Sequence, residues 1–183
     1  MVEMNRLWIK NKHMHRQFYE QKGIYGEELV KRFLKKYGFS VKRGIEVLPG
    51  KLSKQYLKPF YFVAVGNHIL TPKELEEYNK KHRGFLFETD FRKAKKKFGT
   101  VFLPDFKIVG EKIFVEAKAH KDKVKLNPAQ KRGFPKILGK GYRILIAIPT
   151  LRFDGNKVFL VKIVWKEFLG KGLKSFDFER EFA

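Results

Sequence analysis

The sequence predicts an α/β protein, a mixed β-sheet flanked by helices. Three observations carry that prediction. Apolar residues at 29, 30, 33, 34 and 37 recur at helical spacing, "NPAQKRGFPKILGKG" (127–141) opens like a second helix, and short apolar runs bounded by turn residues fill much of 101–165. The 183 residues fit one domain, 1–183.

Residues 1–22 read as a basic lead-in, with Trp8, Phe18 and Tyr19 as packing groups and base stacking as the alternative. The first helix presents Leu29, Val30, Phe33, Leu34 and Tyr37 on one face and stops at Gly38. "FSVKRGIEVL" (39–48) follows as the first strand. Residues 49–100 break the pattern and read as an inserted basic subdomain, since a structureless loop of that length is improbable in a compact domain. Within it, "YFVAVGNHIL" (61–70) is a short strand. "TPKELEEYNKKH" (71–82) is a helix with Thr71 as N-cap, Pro72 at the first position and Glu74 closing a capping box.

The pattern then becomes regular. "VFLPDFKIVG" (101–110) and "EKIFVEAKA" (111–119) read as a hairpin turning at Gly110-Glu111. The second helix takes Asn127 as cap and Pro128 at its first position, although Gly133 and Pro135 weaken it. "YRILIAIP" (142–149) is a buried strand by its apolar run, and "DGN" (154–156) turns it into "KVFLVKIVW" (157–165). Strict alternation would put Phe159, Val161, Ile163 and Trp165 on one face, either in the core or as the seam of a homodimer.

Lys and Arg number 41 against 19 Asp and Glu, a formal net charge of +22. A compact chain repels itself at that charge, so a polyanionic partner is expected: nucleic acid first, an anionic membrane surface second. No stretch approaches the roughly 20 apolar residues that span a bilayer, and the N-terminus has no apolar signal segment, so a cytoplasmic, intracellular protein is expected. The absence of cysteine excludes disulfides, iron–sulfur clusters and cysteine zinc sites. His13-x-His15 has the form of a transition-metal pair, but no partner with convincing ligand spacing follows.

Asp105, Glu116 and Lys118 stand out. Residues two apart on a strand share a face, so Glu116 and Lys118 project together, and the hairpin can bring Asp105 opposite Glu116. Two converging carboxylates suit Mg²⁺, and a lysine beside them suits charge developing on a phosphate. The plain alternative is three charges at solvated strand ends. Basic residues cluster twice more. Arg92, Lys93, Lys95, Lys96 and Lys97 lie between Phe91 and Phe98, and Lys121, Lys123 and Lys125 lie just past the candidate site. Both runs suit nucleic-acid phosphates, and solvated surface is the alternative. His120 reads as an ordinary surface histidine, with help in proton transfer as the alternative.

"LPDFKIV…IFVEAKA" resembles the PD-(D/E)xK nuclease superfamily, and Gln130 matches a glutamine often found after its lysine strand. Gly23, Glu27, the Leu29–Tyr37 helix and Gly38-Phe39 are similar in order to the opening of the archaeal Holliday junction resolvases. The resemblance covers 23–43 and 101–148, and the 49–100 insertion departs from it. It implies a restriction-endonuclease-like core and Mg²⁺-dependent DNA endonuclease activity, with Mn²⁺ able to substitute. It implies Asp105, Glu116 and Glu27 as metal ligands, Lys118 as catalytic lysine and Gln130 beside them. Glu28, next to Glu27, fits a solvated helix face better. A structure-selective, resolvase-like enzyme is the first expectation. A sequence-specific or nonspecific nuclease on the same core and a catalytically silent DNA-binding module are the alternatives.

Overall fold

The computed structural model describes residues 4–12, 18–43, 45–49, 61–65, 68–69, 96–100, 103–119 and 124–182. It is a mixed α/β fold. In chain order come β1 (Trp8–Lys10), α1 (Phe18–Lys36), β2 (Val41–Arg43), β3 (Ile45–Pro49), β4 (Tyr61–Val65), β5 (His68–Ile69), β6 (Phe106–Ile108) and β7 (Ile113–Ala117). They are followed by α2 (Pro128–Gly139), β8 (Arg143–Asp154), β9 (Lys157–Phe168), β10 (Leu173–Ser175) and α3 (Phe178–Glu181). The main sheet runs β1-β9-β8-β7-β6-β2, with β10 also paired to β9. Among the described residues only β7 and β8 pair in parallel, and α2 is their crossover. β3, β4 and β5 form a separate three-stranded sheet.

The two predicted helices flanking the sheet and the two predicted hairpins form where the patterning places them. α1 ends in a Schellman motif: Gly38 has φ +106°, and the Phe39 and Gly38 N–H groups return to Leu34 and Lys35. α2 opens on the predicted Asn127 cap with Pro128 in the first turn, and Pro135 lies inside the helix. The β6–β7 hairpin turns through Gly110 at φ +86°. The β8–β9 hairpin turns through Gly155 and Asn156 between the paired Asp154 and Lys157.

The sheet buries two cores. On one face α1 sets Leu29, Val30, Phe33 and Leu34 against Val115, Leu145, Ala147 and Leu160. On the other, α2 sets Phe134 and Ile137 against Phe114, Ile144 and Ile146. Successive residues of β7 therefore serve opposite faces. α1 approaches the sheet closely at Gly26, where a Cβ would lie 2.9 Å from Ala119 Cβ and 3.2 Å from Pro149 Cγ. α3 closes the α1 side by stacking Phe178 on Trp165, with ring centroids 4.4 Å apart.

Four expectations need correction. The lead-in is not a separate segment: Trp8–Lys10 is a strand on β9, and α1 begins at Phe18. "FSVKRGIEVL" is not one strand, since β2 joins β6 and β3 joins β4 in the other sheet. Phe159, Val161, Ile163 and Trp165 do not share a face. Thr150 pairs Lys162 while the next residue, Leu151, pairs Leu160, so Val161 is an extra residue in a β-bulge. The bulge shifts the alternation, burying Val158 and Leu160 before it and Ile163 and Trp165 after it. Nor is β9 a free edge along its whole length, because β1 and β10 pair its two ends. Ile163 is a core residue at 9% exposure, which removes the basis for a dimer seam through its side chain.

The predicted helix at 71–82 lies outside the described residues. No helix among the described residues is long and apolar enough to cross a membrane.

Candidate active site

Asp105 lies in a bend just before β6, after Pro104, which has no N–H to offer a ladder. Glu116 lies near the end of β7. The β6–β7 register pairs Phe106 with Val115, and continuing it sets Asp105 opposite Glu116. The two residues prolong the hairpin with side-chain bonds. The Asp105 N–H donates to Glu116 Oε2 at 3.1 Å, and the Ala117 N–H donates to Asp105 Oδ2 at 2.8 Å. Each carboxylate thus holds backbone of the opposite strand.

Glu116 is 3% exposed, so it is no solvated strand end. A carboxylate buried that deeply needs charged or hydrogen-bonding partners. Gln130 Nε2 donates to its Oε1 at 2.6 Å. Lys118 Nζ lies 3.2 Å from the same oxygen and also donates to Gln130 Oε1 at 2.9 Å. Gln130 is fixed in turn by the α2 capping box. Its backbone N–H donates to Asn127 Oδ1 at 2.8 Å, and its Oε1 accepts the Asn127 N–H at 3.0 Å. Asn127 and Pro128 start the helix, the helix start orients Gln130, and Gln130 orients both Glu116 and Lys118.

The structure therefore gathers Asp105, Glu116, Lys118 and Gln130 at one end of β6 and β7. None of these bonds includes Glu27. It is 4% exposed on α1, which packs on the opposite face of the sheet. Gly26 touching Ala119 brings its backbone to the same end. Among the described residues, no three His, Asp or Glu side chains are grouped to hold a metal ion. Glu28 is an exposed-side residue, 3.6 Å from Arg32 in an i,i+4 pair.

Of the basic residues, Lys96 and Lys97 are exposed at the end of a helical turn, and Lys125 is exposed ahead of α2. Arg92, Lys93, Lys95, Lys121 and Lys123 lie outside the described residues, as do His13, His15 and His120. Trp8, taken from the sequence as a packing group, is 43% exposed. It faces Phe159 across the β1–β9 pair. No local sequence signal revealed that pairing, because the two residues come from opposite ends of the chain.

Chemically, the cluster couples a buried anion to an amine through an amide. The lysine is held beside the carboxylate, and Asp105 stands at the more open edge of the pair. No family model, curated protein or solved structure matches this chain.

Proposed function

We propose that the protein is a metal-dependent DNA endonuclease with a restriction-endonuclease-like core. The observation that carries this reading is the Asp105–Glu116–Lys118–Gln130 cluster, built at the end of two paired strands in a chain of net charge +22. Pro104-Asp105 and Glu116-Ala117-Lys118 resemble the PD-(D/E)xK pattern, and the geometry brings the patterned side chains together.

The donor set suits Mg²⁺, which is bound through one or two carboxylates and keeps waters or phosphate oxygens as its other ligands. Asp105 and Glu116 would hold it. Glu116 spends three of about four acceptor directions on Gln130, Lys118 and Asp105, leaving one on Oε2. The ion would supply a Lewis acid for the phosphate and a more acidic water. Lys118 would stabilise charge on the phosphate or orient the attacking water, with Gln130 fixing its position. Glu27 enters only if it reaches round the end of the sheet.

One observation favours a second reading, a DNA-binding module without catalysis. The carboxylate oxygens already accept several protein N–H groups, and no third acid joins them among the described residues.

The deciding experiment incubates the protein with linear, nicked, flapped and four-way DNA, with Mg²⁺ or with EDTA. Metal-dependent cutting supports the nuclease, and preference for four-way DNA supports the resolvase-like form. Binding without cutting in Mg²⁺ and in Mn²⁺ favours the silent module.

A further inference from the structure

The sheet face that carries Glu116 and Lys118 continues beyond α2 onto the outer parts of β8, β9 and β1. Register and alternation place Trp8 and Lys10 of β1, Lys157, Phe159 and Lys162 of β9, and Arg152 of β8 on this face. Trp8 and Val164, further along β9, are each 43% exposed. Lys10, Arg152, Lys157 and Lys162 are exposed as well.

The two aromatic residues are direct cross-strand partners, with ring centroids 6.5 Å apart. Each ring carries a cation: Lys157 Nζ lies 4.6 Å from the Trp8 centroid, and Arg152 Cζ lies 4.7 Å from that of Phe159. Among the described residues, the register adds only Asp154 as an acid to this part of the face. An exposed Trp8 ring and a half-buried Phe159 ring, with cations around them on an open sheet, match two needs of an unpaired strand. Bases stack on the rings, and phosphates meet the lysines and arginine. A duplex keeps its base faces stacked internally and would use only the charges.

We propose that this open sheet face binds single-stranded DNA, with bases stacked on Trp8 and Phe159 and phosphates held by Lys10, Arg152, Lys157 and Lys162. The choice of DNA over RNA rests on the nuclease reading; the stacking does not. β1 stands three strand intervals from β7, about 14 Å across the sheet, and Arg152 lies six residues along β8 from Ile146, the partner of Glu116, about 20 Å further along the strand, so a strand lying here would run diagonally toward the candidate site on the same face.

The test is binding in EDTA, where metal-dependent cleavage cannot intervene. The chain has two tryptophans, and Trp165 is only 6% exposed against 43% for Trp8, so quenching of the emission reports Trp8. The full chain is titrated with an oligothymidylate, a duplex of the same length and an oligouridylate. The oligothymidylate is expected to quench the emission and to bind tightest. Trp8→Ala and Phe159→Ala, followed by oligonucleotide anisotropy, should each weaken it about tenfold, and Trp8→Phe should retain most of the affinity. Lys162→Ala, at an exposed position that removes no ring, should lower the log–log salt slope by about 0.7. An unchanged affinity in folded Trp8→Ala overturns the proposal. So does an unchanged salt slope in Lys162→Ala, a duplex that binds as tightly, or RNA that binds better. Nicking is assayed separately with Mg²⁺. Its absence alongside intact oligothymidylate binding counts against the nuclease alone, and the converse counts against this face alone.

Discussion

Gln130 Nε2 donates to Glu116 Oε1 at 2.6 Å, while the Gln130 carbonyl oxygen accepts from both Asn127 N–H and Lys118 Nζ. The orientation of the amide follows from these partners. The oxygen must face two donors, so the NH₂ must face the carboxylate. One side chain thereby caps a helix and assembles the candidate site.

Gln130→Leu is expected to cost about 1–3 kcal/mol, because it removes the amide partner of both Glu116 and Lys118 and the side-chain half of the capping box. Gln130→Glu should behave differently with pH. It sets a second carboxylate against Glu116, and the folded pair resists losing both protons while the unfolded chain does not. The folded state then binds more protons, so stability falls as pH rises. Urea unfolding at about pH 4 and about pH 7 should show the variant losing stability relative to wild type across that interval.

Glu116→Gln should abolish nicking while DNA binding survives, since one carboxylate fewer repels phosphate less. Lys118→Ala should lower the cleavage rate by about 10²–10³-fold and leave metal binding intact, because the lysine is not a ligand. Metal-dependent nicking and DNA anisotropy on the same samples separate the two effects. Nicking at the wild-type rate by Glu116→Gln, or in EDTA, would sink the assignment.

Lys96 and Lys97 are exposed. Changing both to Ala should weaken duplex binding and reduce its log–log salt slope by about 0.9 for each phosphate that is no longer neutralised. An unaltered slope would leave the pair as solvated surface.

Two glycines of α1 should respond oppositely to alanine. Gly26→Ala drives a Cβ to 2.9 Å from Ala119 Cβ and should cost about 1–3 kcal/mol by forcing the helix off the sheet. Gly23→Ala meets nothing within 4 Å and should gain about 0.5–1 kcal/mol as a better helix former. Denaturant midpoints of the two variants check the sign.

What the sequence revealed and what it hid divide by range. The Asn127 cap, the Gly38 stop and the two hairpin turns are local chemistry, so a few adjacent residues sufficed to read them. Asp105, Glu116, Lys118 and Gln130 were also legible, because a tight hairpin and one capped helix set their meeting. The role of Trp8–Lys10 as an edge strand depended on residues near the other end of the chain, where periodicity carries no information. The face of Val158 and Leu160 was hidden by one bulged residue: an extra position in the ladder inverts the parity of everything on one side of it. Glu27 was readable as a helical acid, but which sheet face its helix covers was settled only by packing.

The Trp8–Phe159 pairing also bears on the order of assembly. The parts of the candidate site and the β8–β9 hairpin all come from one continuous stretch, 103–168, whereas β1 must close a loop spanning almost the whole chain. Pairings of short sequence separation form fastest, and long closures wait for a surface to land on. β1 is therefore expected to dock late in refolding, on a hairpin already formed. Pulse-labelled hydrogen exchange would read this directly. The Arg143 amide, bonded to Lys112, should become protected before the Leu160 amide, bonded to Leu7. A chain caught between those events would carry the assembled carboxylate cluster while its aromatic pair was still apart.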